Sequence, residues 1–371
     1  YGLGALSITT ANVTGTASDG IIAGNSGNGT SLTIDSSAGR VTGATTGISA
    51  TNYGTGALRI TTGAVSGANG DGIYAYNYGT DLTIDTRAGT VTGSRAGIDT
   101  YNYGSGALTI TTANVTGTAS VGIGAANYGT NLTINSTAGA VSGTTGVLAS
   151  NYGLGALSVT TANVTGTASD GIIARNSVNG TNLAVNTTAG TVVGRANGIT
   201  ASNAGAGSLT ITSAGVTGTT GTGILATVAS TTTGLTITTS GTVTGALVGI
   251  DARNNSASAT TIVNNGTITA GSREAIRAST SANALITNNG RIEGFVTLGA
   301  GNDRLTNTGT FAAIGNSNFG AGTDLLTNSG TFLVQGASPV SVTGLESFAN
   351  SGRIELANGV IGNNLSLSGN F

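Results

Sequence analysis

The sequence predicts an all-β protein: a right-handed parallel β-helix (β-solenoid) with three short strands per coil and roughly fifteen coils. Three observations carry this. A leading leucine recurs at Leu6, Leu32, Leu58, Leu82, Leu108, Leu132, Leu157, Leu183, Leu209 and Leu235, in steps of 24 to 26 residues. Each unit holds three alternating runs, L-T-I-T or L-T-I-D, then V-T-G, then G-I-x-A-x-N; a period of two marks strands. Of 371 residues 64 are Gly and one is Pro, and Gly, Asn and Ser between the runs supply the turns.

In the L-T-I strand Leu and Ile point inward. The first outward position is nearly constant: Ser7, Thr33, Thr83, Thr109, Thr133, Ser158, Thr210 and Thr236. The second alternates between Thr (Thr9, Thr61, Thr111, Thr160) and Asp or Asn (Asp35, Asp85, Asn135, Asn186), which makes the true repeat two coils long. In G-I-x-A-x-N, Ile and Ala point inward and the two x positions outward. Those outward pairs vary from coil to coil: Tyr74/Tyr76, Asp99/Tyr101, Gly124/Ala126, Leu148/Ser150, Ile173/Arg175, Asp251/Arg253 and Arg277/Ser279 among them. One face is therefore monotonous and another varied. A varied face on a constant scaffold is what recognition needs.

The N-Y-G corner forms a separate column. Tyr53, Tyr78, Tyr103, Tyr128 and Tyr152 are spaced 25, 25, 25 and 24 residues apart, each preceded by an asparagine: Asn52, Asn77, Asn102, Asn127 and Asn151. This regularity predicts a stacked structural ladder, the amides bonding their neighbours along the turn. From residue 261 the period shortens around N-x-G motifs, with glycines at Gly266, Gly290, Gly309, Gly330 and Gly352. The chain thus reads as coils of the longer period over 1–260 and a continuation with smaller coils over 261–371. The right hand is expected because parallel crossovers are almost always right-handed.

Composition excludes several functions. Charged residues make up 7% and the net charge is -2, so nothing attracts nucleic acid or an anionic membrane. There is no Cys and no His, which removes thiolate chemistry, disulfides and the commonest general base and metal ligand. Acidic residues are scattered, and no Gly-rich phosphate loop carries a Lys. The expectation is no catalysis and no cofactor. Two stretches, "GAGNDRL" from Gly299 and "GAGTDLL" from Gly320, echo half of a calcium-binding β-roll repeat. The copies are 21 residues apart and offer few ligands, so Asp303 and Asp324 are weak metal candidates and otherwise turn caps. The chain starts at Tyr1 without Met, as an excised piece of a longer precursor would.

On the varied face Tyr74, Tyr76 and Tyr101 are expected as an exposed aromatic cluster beside Asp99. The alternative is that the rings cover one another. Ile173 and Arg175 occupy the same column. Asp251, Arg253 and Arg277 are expected as an exposed ion-pair group, which is worth little energy in water.

The tail "GAGTDLLTNSGTF…VTGLESFANSGRIELANGVIGNNLSLSGNF" from Gly320 resembles the C-terminal passenger region of bacterial type V autotransporters, and the repeats at 5–260 are similar to alphaproteobacterial passenger repeats. The resemblance implies a precursor with a covalently linked outer-membrane β-barrel. It also implies secretion to the surface of a Gram-negative cell, and adhesion or self-association. The partner would be a second copy, or a glycan or protein on a host or environmental surface. A structural stalk or filament-forming surface protein is the alternative. Ice binding through T-x-T arrays and action on polysaccharides are weaker readings.

Overall fold

The computed structural model describes residues 3–335, 339–356 and 364–368. Residues 1–2, and 336–338, 357–363 and 369–371 of the passenger-like tail, lie outside the described residues. The described residues contain no helix. Their strands pair in parallel as a solenoid of about 14 turns. The chain divides into two compact units, Tyr1–Gly190 and Thr191–Phe371.

From Leu32 to Asn176 each coil contributes strands of five, three and five residues, as in Leu58–Thr62, Val65–Gly67 and Ile73–Asn77. Like pairs with like between coils: Leu82 with Leu108, Val91 with Val115, Ile98 with Ile123. Register is strongly determined, because a slip of one residue would turn every inward aliphatic to solvent. Leu82, Ile84, Val91 and Ile98 of one coil are each 0% exposed, and each such side chain contributes about 1.5–3 kcal/mol.

The corners follow from local chemistry. After V-T-G the chain bends so sharply that a Cβ on Gly93 would lie 1.8 Å from the Ala96 carbonyl oxygen; only glycine fits. The two-coil alternation has a turn origin. Where the L-T-I strand ends in Asp or Asn, the following turn is two residues longer, and the side chain caps it. Asp35 Oδ1 accepts the Ser37 N–H at 3.0 Å, Asp85 that of Arg87 at 3.1 Å, Asn135 that of Thr137 at 3.1 Å and Asn186 that of Thr188 at 3.0 Å. These are Asx turns, so this alternation serves the scaffold.

A buried amide ladder runs along the first unit. Each Nδ2 donates to the Oδ1 of the next coil's asparagine: Asn52 to Asn77 at 2.9 Å, Asn77 to Asn102 at 2.8 Å, Asn102 to Asn127 at 2.9 Å and Asn127 to Asn151 at 3.0 Å. Asn25 extends it at one end, donating to Asn52 at 2.9 Å. The second N–H of each amide turns to its own corner, as from Asn102 to Gly106 O at 3.2 Å. The ladder thus satisfies polar groups that burial would otherwise penalise.

The second unit repeats the scheme with longer strands, such as Leu209–Gly218 and Thr267–Ala278. The change of period at 261 lies inside this unit, and strand pairing passes through it unbroken, Ile237 with Ile262 and Ile262 with Ile286. The N-x-G motifs build a second amide ladder, Asn264–Asn288–Asn307–Asn328–Asn350, with steps of 2.7, 2.6, 2.7 and 2.7 Å. Inside, Phe311, Phe332 and Phe348 pack edge to face, with centroids 5.2 and 6.3 Å apart.

Candidate functional site

The varied face of the first unit collects the candidate residues on neighbouring strands, Ile73–Asn77 and Ile98–Asn102. The parallel register sets Tyr74 beside Asp99 and Tyr76 beside Tyr101. Tyr76 and Tyr101 stack at 4.8 Å, while Tyr74 meets Tyr76 edge-on at 4.9 Å and donates its hydroxyl to the Tyr76 Oη at 2.8 Å. The three rings are half-buried and cover one another, the alternative that the sequence offered beside an exposed cluster. The N-Y-G tyrosines lie further out. They stack at 5.2, 5.2, 4.9 and 4.8 Å from Tyr53 to Tyr152, yet remain 42–58% exposed.

Two residues not singled out from the sequence complete the cluster. Arg95 forms a bidentate ion pair with the buried Asp71, its Nε donating to Asp71 Oδ1 at 2.8 Å. Its Nη2 also lies 3.6 Å from Asp99 Oδ2, and its guanidinium sits 5.6 Å from the centre of the Tyr74 ring. Burial, and then the nearby Asp71 carboxylate, push the Asp99 carboxyl up from its ordinary range, while Arg95 opposes them. Burial and Asp99 together push the Tyr101 hydroxyl up to about 12. Beside this cluster a notch of about 390 Å³ opens over Gly124 and Ala126. The sequence signal for it is plain in retrospect. Among the varied pairs this is the one coil in which neither side chain exceeds a methyl group.

Ile173 and Arg175 pair with Leu148 and Ser150. Neither joins the aromatic cluster, and Arg175 is exposed.

In the second unit, Asp251 and Arg277 are register partners, as the column requires. The expected exposure of Asp251 is corrected: the residue is 1% exposed. Arg253 lies over it, Nη2 to Oδ2 at 2.8 Å, and Arg277 Nη1 approaches the same oxygen at 3.6 Å. Arg277 also pairs with Glu274, with Nε to Oε1 at 3.0 Å. Glu274 follows Arg273, whose φ of 75° marks the bulge between Thr269 and Glu274. Alternation correctly gave the outward direction; the two arginines and the bulge supply the cover.

Asp303 and Asp324 cap the coil before their own. Asp303 Oδ1 accepts the Ala284 N–H at 2.7 Å and Asp324 Oδ1 accepts that of Asp303 at 2.6 Å. Glu346 continues the series, accepting the Asp324 N–H at 2.7 Å. Among the described residues no three His, Cys, Asp or Glu gather closely enough to hold a metal ion. The second oxygens of Asp303 and Asp324 are buried without a partner. Burial pushes Asp303 up to about 6, helped by the Asp324 carboxylate and opposed by its backbone hydrogen bonds. The folded state therefore holds a proton that an unfolded aspartate, with an ordinary value of 3.8, has already released. That contribution to stability is fully present below pH 3.8 and is lost as pH rises through about 6. Melting of the chain across this window is expected to show the second unit weakening as pH rises. Asp303→Asn, which keeps the acceptor for Ala284 and removes the charge, is expected to flatten that dependence and raise the melting temperature at pH 7. An unchanged slope in the variant would remove Asp303 as its source.

Compared with known proteins, the chain matches no family model, no curated protein and no solved structure.

Proposed function

We propose that this chain is a non-catalytic binding module of a surface-displayed protein, the passenger of a type V autotransporter on a Gram-negative cell. In this reading it acts in adhesion or self-association through the varied face of its first unit. The observation that carries the reading is the contrast between faces. Asx caps and amide ladders account for the regular columns as scaffold. The Tyr74, Tyr76, Asp99 and Tyr101 cluster, with its adjoining notch, has no counterpart in the coils around it. Tyrosine gives large contact area, a hydroxyl and little entropy loss, and is enriched at interfaces. A net charge of -2 on 371 residues lets two copies approach with little repulsion, and many weak contacts along a repeated surface add up through avidity. The passenger-like tail supports the placement at the cell surface.

Sedimentation velocity over a wide concentration range tests this, with a Tyr74→Ala, Tyr76→Ala, Tyr101→Ala variant beside the natural chain. Concentration-dependent dimers that disappear in the variant are the expected result for self-association. The unbroken ladders also favour a second reading, a structural stalk displaying something else. It predicts a monomer at every concentration, with a variant altered only in stability.

A further inference from the structure

The notch interrupts a stack. Tyr76 and Tyr101 lie nearly parallel, 17° apart, along the direction in which coils succeed one another. The next position in that column is Ala126, the register partner of Tyr101. One face of the Tyr101 ring is thus covered by Tyr76, and the other opens on the notch. Gly124 and Ala126 form the floor, and Leu148 and Ser150 of the following coil form the opposite wall. Tyr128, stacked between Tyr103 and Tyr152, closes the side nearest the N-Y-G corner. At the other end the Asp99 carboxylate reaches in: a Cβ on Gly124 would lie 3.1 Å from its Oδ1. Arg95 stands beside it, more than half exposed.

The wanted occupant follows from this arrangement. It must be flat enough to continue a stack at the spacing of one coil. It must also present several hydroxyls at its rim, since the rim offers a carboxylate acceptor, a guanidinium donor and serine and tyrosine hydroxyls. A planar apolar ring would satisfy the first demand and leave the polar rim unpaired, which costs free energy. A sugar ring satisfies both, its C–H face on the tyrosine and its hydroxyls on the rim. The volume of about 390 Å³ lies within the range of small-molecule sites.

We propose that the notch over Gly124 and Ala126 binds one pyranose ring of a glycan, stacked on the open face of Tyr101 and hydrogen-bonded by Asp99, Arg95 and Ser150. This rests on the binding-module reading and names its ligand class.

The test is calorimetric titration of the full chain with a panel of methyl pyranosides, beside two variants. Ala126→Tyr fills the notch by continuing the ring stack already present at Tyr76 and Tyr101, so it is compatible with the fold; far-UV circular dichroism checks this. Asp99→Asn keeps the shape and removes the charged acceptor. At least one pyranoside is expected to bind the natural chain. Binding should vanish in Ala126→Tyr and weaken at least about tenfold in Asp99→Asn, the loss of one charge-assisted hydrogen bond. Absence of binding by every pyranoside at millimolar concentration would overturn the proposal, as would titrations unchanged by Ala126→Tyr. Binding of p-cresol in place of any sugar would overturn it too, and identify an aromatic receptor site. Sedimentation of the natural chain separates the two levels. Self-association of a natural chain that binds no sugar removes only the notch proposal. A chain that neither associates nor binds sugar removes the binding-module reading itself.

Discussion

Asn102→Ala is expected to destabilise the first unit by about 2–6 kcal/mol, because it strands two buried polar groups and each costs about 1–3 kcal/mol. Asn102 is 0% exposed. Its Nδ2 is the donor to Asn127 Oδ1, and its Oδ1 accepts from Asn77. Alanine leaves the Asn127 oxygen and one Asn77 N–H without their partner inside the core. Chemical denaturation measures the loss. Hydrogen exchange gives its location: in a stacked array each coil leans on its neighbours, so faster exchange should centre on the strands carrying Asn77, Asn102 and Asn127. A variant within about 0.5 kcal/mol of the natural chain, the range typical of surface changes, would show that the amide ladder is incidental.

Phe332→Ala is expected to cost the second unit about 3–5 kcal/mol, the usual range for emptying an aromatic core site. Phe332 is 0% exposed and lies between Phe311 and Phe348. Its removal deprives both neighbours of a ring contact and leaves a cavity that strands pinned by parallel pairing on each side, Phe311 and Ile354 being its register partners, cannot close. Phe332→Leu, which refills part of the volume, should recover a large share of the loss. Equal losses in the two variants would point to ring-specific contacts rather than volume as the source.

The fold was legible to an unusual degree, and the reason is physical. In a parallel solenoid, sequence alignment of repeats is spatial register. Aligning Leu with Leu and Ile with Ile therefore places Tyr74 beside Asp99 and Leu225 beside Asp251, as the structure has them. The same alternation tells which way a side chain leaves the strand. It does not tell what lies over it. Asp251 points outward and is still buried, because Arg253 and Arg277 fold back across it. Asp303 belongs by sequence to a glycine turn, yet its carboxylate serves the coil before. Arg95 and Asp71 sit in corners that read as ordinary turns, and only the stacking of two corners brings them together. The notch was written in two small residues, Gly124 and Ala126. Small residues draw attention only once the rings beside them are known to form a stack.

In the proposed reading, function resides on the varied face of the first unit and the regular faces are scaffold. The most direct test compares two matched triple variants with the natural chain by sedimentation velocity. One carries Tyr74→Ala, Tyr76→Ala and Tyr101→Ala; the other carries Thr83→Ala, Thr109→Ala and Thr133→Ala on the L-T-I face. The expected result is concentration-dependent association that is lost in the tyrosine variant and kept in the threonine variant. Association lost in the threonine variant and kept in the tyrosine variant would contradict this reading, and would move the recognition surface to the L-T-I face.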